Sequence, residues 1–278
     1  MTVTATDVIS DDEVRAVLEE RTQAMYQFRR AFRPDDATGI NSGSKTFPQA
    51  ATVGGNLRGE MDEVLEDADY PRSTLQHEGI QANYTKDGFE VAISDEAVDD
   101  TPVNVILDIT EEMAIAAEHR LDSLAYATLE GNRSATEIGD DLEDINYDAI
   151  VDAYVELADN EFNPADFEVY ASPQAWGQLA KDDNFNRATD EGDNLARNGM
   201  LARVFGANVA LSNTGDLGAS EAIMVDTGRY GYESTRWNRE VTNYREEEAD
   251  RDVFKIRHRK DFVPMKPDAA VKIIGGVV

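Results

Sequence analysis

Apolar positions along the chain fall at helical spacing in some stretches and alternate or run together in others. Over residues 11–32, Val14, Val17, Leu18, Met25 and Phe28 form a broken apolar stripe. Ser10 or Asp11 can cap it, acids fill its first turn, and Arg29, Arg30 and Arg33 gather at its far end, the polarity a helix dipole favours. This predicts a helix closed by Pro34, with the arginines as its C-terminal turn. Residues 34–56 hold four glycines and two prolines and read as loop. A structureless stretch of that length makes better sense as an arm lying on another subunit than as part of a compact domain. Leu57, Met61, Val64 and Leu65 predict a short acidic helix over 57–70. Two extended segments follow, about 74–85 and 88–94, on either side of Lys86-Asp87-Gly88. Asp-Gly between Tyr84 and the run Phe89 to Ile93 predicts a hairpin turn there. A second turn-rich run reaches Pro102.

The strongest helical pattern starts at Thr110, runs through Met113, Ala117, Leu121 and Leu124 to Leu129, and is stopped by Gly131-Asn132. From 141 helix and strand alternate: a helix from Ile145 to Leu157, a strand from Phe167 to Tyr170, then a helix with Ser172 as N-cap and Pro173 in its first position. Residues 182–194 are a polar loop, Leu195 to Phe205 suit a helix, and Asn208–Leu211 and Ala222–Val225 suit strands. Strands are expected again at Val241–Arg245, Val253–Arg259 and Ala270–Ile274. There is no internal repeat, and the fold class is α+β.

Composition narrows the function. At 278 residues, 41% hydrophobic and 29% charged, the chain has the make-up of a soluble globular protein able to bury a large core. It carries no stretch of the 18 or more apolar residues needed for a membrane span, and its first residues do not have the form of a secretory signal. The absence of cysteine excludes disulfides, thiolate metal sites and cysteine nucleophiles. Fifty-six acids against 26 bases give a formal charge of −30, which excludes a general basic grip on nucleic acid. The acids are spread along the whole chain, and the bases are 7 lysines against 19 arginines. Self-repulsion of that size weakens a compact state in dilute salt, whereas at 1 M the Debye length is about 3 Å. The pattern is that of a protein adapted to very high salt, as in a halophilic archaeon; a merely acidic mesophile protein is the alternative.

Catalytic patterns are missing. There is no phosphate-binding glycine loop, no dinucleotide fingerprint and no nucleophile elbow. His77, His119 and His258 are isolated from one another, and Gln81 stands where a zinc-protease motif beginning at His77-Glu78 would need its second histidine. Asp182, Asn184 and Asn186 start like a calcium loop, but Arg187 and Asp193 occupy the positions that need glycine and glutamate. Glu246, Glu247, Glu248 and Asp250 read as an exposed turn, or as a cation site where several copies meet on a symmetry axis. In the one locally basic stretch, Arg251 to Lys260, strand alternation puts Lys255, Arg257 and Arg259 on one face and Phe254, Ile256 and His258 on the other. The basic face either pairs with acidic neighbours or faces packaged DNA. No catalytic, cofactor-binding or metal-ligating residue is assigned and no cofactor is expected. An enzyme with a dispersed carboxylate pair finds no two acids at a defined separation.

Several segments together resemble the major capsid proteins of tailed double-stranded DNA viruses, the Hong Kong 97-type shell fold. They are NPADFEVYASPQAWGQL (163–179), GMLARVFGANVALSNTG (199–215), AIMVDTGRYGYES (222–234) and DVFKIRHRKDFVPMKPDAAVKII (252–274), with the helix of 101–132 placed like that family's spine helix. The resemblance covers about 100–278 by sequence and 1–100 by layout only. It implies an N-terminal arm (1–45), an extended loop (46–100), a peripheral domain with the spine helix (101–140), an axial domain (141–232) and peripheral return strands (233–278). It implies self-assembly through hexamers and pentamers into an icosahedral head around double-stranded DNA, touched non-specifically. Portal and possibly scaffold or decoration proteins would be further partners, with no membrane. The protein would reside in the virion after assembly in the host cytoplasm. An encapsulin-like compartment shell shares the fold and is the alternative. Some members join subunits through a Lys–Asn isopeptide bond; Lys86, near the expected loop tip, is the one donor this sequence offers, and its partners cannot be matched.

Overall fold

The computed structural model describes residues 27–40, 42–52, 75–100, 105–140, 142–182, 207–212 and 214–276. The expected helices at 57–70 and 195–205, most of the one at 11–32, and the loop positions Asn184 and Asn186 lie outside these. The described chain begins with a 3-10 turn, Phe28–Ala31, and runs directly into strand β1 (Phe32–Asp36). Pro34 is therefore inside a strand, not at a helix end. β1 lies parallel to β9 at one edge of its sheet, a position where a residue without an N–H is tolerated.

The stretch read as loop contains β2 (Ser44–Thr52), paired antiparallel with β3 (Leu75–Asn83) in a two-stranded ribbon. β4 (Thr85–Ser94) follows after one residue, Tyr84. The expected turn at Lys86-Asp87-Gly88 does not form: these residues are the first half of β4 and pair with Arg259, His258 and Arg257 of β10. Gly88 is needed for a different reason. A Cβ there would lie 2.6 Å from the Ile256 carbonyl oxygen and 3.1 Å from the Arg257 side chain. The turn-rich run after β4 is a short helix, α1 (Asp95–Asp100).

Helix α2 (Val105–Asn132) is the spine, 28 residues and so about 42 Å long. It begins five residues before the sequence suggested. Met113 and Ala117 pack with Ile93, Phe254 and Ile256 against a four-stranded sheet of order β1-β9-β10-β4. Here β9 (Gly231–Glu246) and β10 (Arg251–Pro264) form a long antiparallel hairpin, with register shifts on either side of Arg259.

The second sheet has five strands in the order β5-β11-β8-β6-β7. They are β5 (Glu137–Asp140), β6 (Phe167–Ala171), β7 (Asn208–Leu211), β8 (Glu221–Asp226) and β11 (Ala270–Gly275). Two helices belong with it, α3 (Tyr147–Asp159) and α4 (Pro173–Lys181). The cap read from sequence is present, Ser172 accepting the Ala175 N–H, and Asn146 caps α3 by accepting that of Ala149. β5 and β11 lie outside 141–232 yet are integral to this sheet, so a division at 140 and 233 does not follow the strand pairing.

One continuous core joins the two sheets. Phe28, Phe32, Leu121, Ala125 and Leu129 meet Tyr170, Ile223, Met224, Tyr230 and Val271 in it. The Phe28 ring sits 5.0 Å from Tyr126 and 5.5 Å from Tyr170. At this junction Asp122 of the spine helix is fully buried. Its Oδ1 accepts the Arg29 N–H at 3.1 Å and caps the 3-10 turn, while Oδ2 has no partner. Burial pushes its carboxyl up to about 6, against the hydrogen bond and charge of Arg29.

Two outcomes follow from this packing. Gly88→Val should destabilise the subunit itself by about 2–3 kcal/mol, through overpacking at the β4–β10 contact. Urea unfolding of the subunit measures it, and an unchanged midpoint would contradict the strand assignment. For Asp122, an acid with a raised folded-state value, stability should fall as pH rises from about 4 through about 6. Asp122→Asn keeps the acceptor for Arg29, so it should be more stable than the parent by roughly 2 kcal/mol above pH 7, with the gain gone near pH 4. Paired melts across that range would show it.

Candidate assembly surface

The four-stranded sheet and the spine helix are fixed to one another by a buried ionic clamp. Glu233 of β9 receives Lys260 Nζ of β10 at 2.7 Å and Arg29 Nη2 of the 3-10 turn at 2.7 Å. Arg29 also pairs with Glu118 of the spine helix, and Glu118 pairs in turn with Arg239 of β9. Burial works against the charge on Glu233, but Arg29 and Lys260 together outweigh it and hold the carboxyl below its ordinary range. Arg29, carried on the 3-10 turn, is thus the hub of the clamp. Arg33 lies over the Tyr232 ring at 4.7 Å and donates to its hydroxyl.

A second network ties the two-stranded ribbon to this sheet. Lys45 of β2 holds Asp35 of β1 at 2.6 Å, Ser234 donates to Asp35 at 2.7 Å, and Tyr84 shares a 2.8 Å bond with Ser234. Phe47 stacks on Tyr232 at 5.2 Å.

Strand alternation in the basic stretch holds. Phe254, Ile256 and His258 are buried toward the helix. On the outer face Lys255 pairs with Glu90 at 2.6 Å and Arg257 with Glu240 at 2.8 Å. Arg259 donates to the Tyr84 carbonyl at 3.1 Å, and Arg257 and Arg259 both lie over the half-exposed Trp237 ring, at 5.6 and 5.5 Å. The basic face is engaged by acids and an aromatic ring of its own subunit. Lys86 lies opposite Arg259 in β4 and not at a loop tip.

At the far end of the hairpin, Glu246–Asp250 form the expected turn, with Asp250 at a positive φ of 43°. Arg245 reaches Asp95 at 2.6 Å, Glu247 and Asp252 at 3.5 Å, and Asp250 at 3.9 Å, while Arg251 pairs with Glu246 at 2.5 Å. Among the described residues no three or more metal-ligating side chains come together, and no helix is long and apolar enough to cross a membrane. The three histidines stay apart: His77 in β3, His119 exposed on the spine helix, His258 buried in β10. Asp182 accepts the Tyr147 N–H at 2.7 Å at the start of α3.

Sequence reasoning missed Glu118, Glu233, Arg239 and Lys260 as one group. Their signal was weak: Glu233 sits among Tyr230, Tyr232 and Trp237 in a strand otherwise rich in aromatics. It also missed two apolar residues on the five-stranded unit that face solvent, Leu142 after β5 at 89% exposure and Val155 on α3 at 48%.

Comparison with known proteins places this architecture. The model of the phage capsid protein family matches residues 81–273, well over half of the chain. None of the curated proteins matches it by sequence. Among solved structures it superposes on one from Mycobacterium phage Che8 with a TM-score of 0.71, 14% identity, and coverage of 90% of this chain and 91% of that one. The mature capsid of bacteriophage PhiM1 gives 0.68 at 11% identity, covering 91% and 88%. The capsid of Myoviridae phage XM1 gives 0.61 at 15% identity, covering 89% and 90%. The spine helix, long hairpin and five-stranded unit are therefore the Hong Kong 97-type shell fold, and the chain belongs to the phage capsid protein family as a major capsid protein of the virion.

Proposed function

We propose that this subunit builds the icosahedral head of a tailed virus by packing copies into hexamers and pentamers around double-stranded DNA. The family match across 81–273, which takes in strands of both large sheets, carries the reading. In this assignment the arm is drawn from residues 1–45 and the extended loop from 46–100, except for β1 and β4, which join the β9–β10 hairpin and the spine helix in the peripheral body. The five-stranded unit is the axial domain, supplemented by β5 and β11 from outside 141–232. The solvent-facing Leu142 and Val155 are contacts to its neighbours around the symmetry axes.

The internal pairing of Lys255 and Arg257 supports only weak, sequence-independent contact with DNA. Portal and possibly scaffold or decoration proteins complete the head, and assembly takes place in the host cytoplasm. The charge of −30 supports a host living in concentrated salt, a halophilic archaeon, because acidic faces brought together at interfaces repel unless counterions screen them. An encapsulin-like compartment is not favoured by the family match, and nucleic acid rather than protein cargo inside native particles separates the two.

Purified protein in about 2–3 M NaCl should form closed shells by negative-stain microscopy, and they should loosen on dialysis to about 0.1 M, where the Debye length has grown to about 10 Å. Dispersed subunits in high salt would overturn the shell; particles of unchanged light scattering after dialysis would overturn the salt adaptation alone. Leu142→Asp should leave subunit circular dichroism and melting unchanged while lowering shell yield by about tenfold or more, as loss of a central apolar contact does. A normal yield would remove this face from the interface.

A further inference from the structure

Asp87 of β4 accepts two long hydrogen bonds from the Arg120 guanidinium, at 3.4 and 3.5 Å, and lies beside His258 without bonding to it. Its carboxylate is 3.4 Å from Arg120 Nε on the spine helix and 4.0 Å from His258 Nε2 on β10. Arg120 is more than half exposed, so its hold on Asp87 is screened. His258 is 3% exposed, and its Nε2 has no hydrogen-bond partner. All three line one cavity of about 240 Å³ between sheet and helix, whose other walls are Gly88, Phe89, Ala116, Ala117 and Ile256. The cavity and the two small alanine side chains on its wall leave the carboxylate room to swing.

The geometry points to a proton-operated latch between the spine helix and the four-stranded sheet: neutral His258 leaves Asp87 to Arg120, and protonated His258 draws Asp87 away from it. The charged groups around the imidazole come from every element packed on it. Asp87 faces it from β4, Lys260 from its own strand, Glu118 and Arg120 from the helix, and Arg29 from the 3-10 turn. Lys260, Glu118 and Arg29 are committed to the clamp with Glu233 and Arg239, which leaves Asp87, held by one largely exposed arginine, as the anion that can exchange partners. Burial first, with Lys260 and Arg29, holds the imidazole below its ordinary value against the pull of Asp87 and Glu118. A base lowered in this way is neutral in the folded subunit at pH 7. The closed arrangement loses stability as pH falls through the ordinary imidazole range near 6.5. Pairing the imidazolium with Asp87 relieves that cost, and the population shifts to the form in which Arg120, and the helix turn that carries it, is released.

The latch works within one subunit and stands apart from the shell reading. Hydrogen exchange of the full-length protein at about pH 7.5 and 5.5, corrected for intrinsic rates, tests it at residues 113–121. Protection there should fall by about tenfold in acid. The parent and each variant carry Asp122→Asn, because Asp122, next along the helix, would otherwise add a response of the opposite sense over the same range. His258→Gln should remove the pH response and hold protection at the parent's neutral level. A parent without a response, or His258→Gln that keeps it, overturns the latch. If His258→Gln does not fold, Asp87→Asn decides, since it leaves His258 in place but removes what the imidazolium would take: a flat profile supports the latch, and a parent-like response overturns it.

Discussion

Glu233 is a buried carboxylate reached by cations from two sides, Arg29 from the turn that precedes β1 and Lys260 from β10. Arg29 extends the contact to Glu118 on the spine helix, and Glu118 to Arg239 further along β9. Four elements distant in sequence are thereby fixed at one point. Removing a single partner from such a group strands a charge in low dielectric, at a cost of about 3–5 kcal/mol. The length of the β9–β10 hairpin beyond this point is held by strand pairing, by one small apolar cluster under the helix, and by exposed ion pairs worth little individually. The clamp is therefore what gives the peripheral body a defined angle to the rest of the subunit.

A chain with 30 more acids than bases has to place its few cations with care. Within the described residues they go where geometry matters: the clamp, the Lys45–Asp35 tie to the two-stranded ribbon, the outer face of β10, and Arg245 at the hairpin tip. Arginine dominates, and its planar fork lets one side chain serve two acids, as Arg29 does with Glu118 and Glu233.

Much of the five-stranded unit was legible because its signals are local. Ser172 caps the helix that follows it, Pro173 opens α4, and the apolar run Ala222 to Val225 is a central strand. What failed depended on partners far away in sequence. Lys86-Asp87-Gly88 carries the composition of a turn, but Gly88 is there so that the backbone of β10 can approach, which no local pattern reveals. Pro34 read as a helix stop because a parallel edge strand tolerates it equally well. The clamp was illegible for the same reason: its members are spread from residue 29 to residue 260, and each taken alone looks like an ordinary surface charge. The peripheral outline came from the resemblance to known shells, not from residue patterns.

The strand order of the five-stranded sheet has a bearing on timing. β11, residues 270–275, lies between β5 and β8, hydrogen-bonded to both. β5 has no other neighbour in the sheet, and Leu142 follows it by two residues. A nascent chain that has not yet released residues 270–275 from the ribosome therefore cannot seat β5, nor present the loop after it in its final place. Strand pairing over such a separation is also slow to form. Synthesis must therefore pass residue 275 before the strand that leads into Leu142 has a partner.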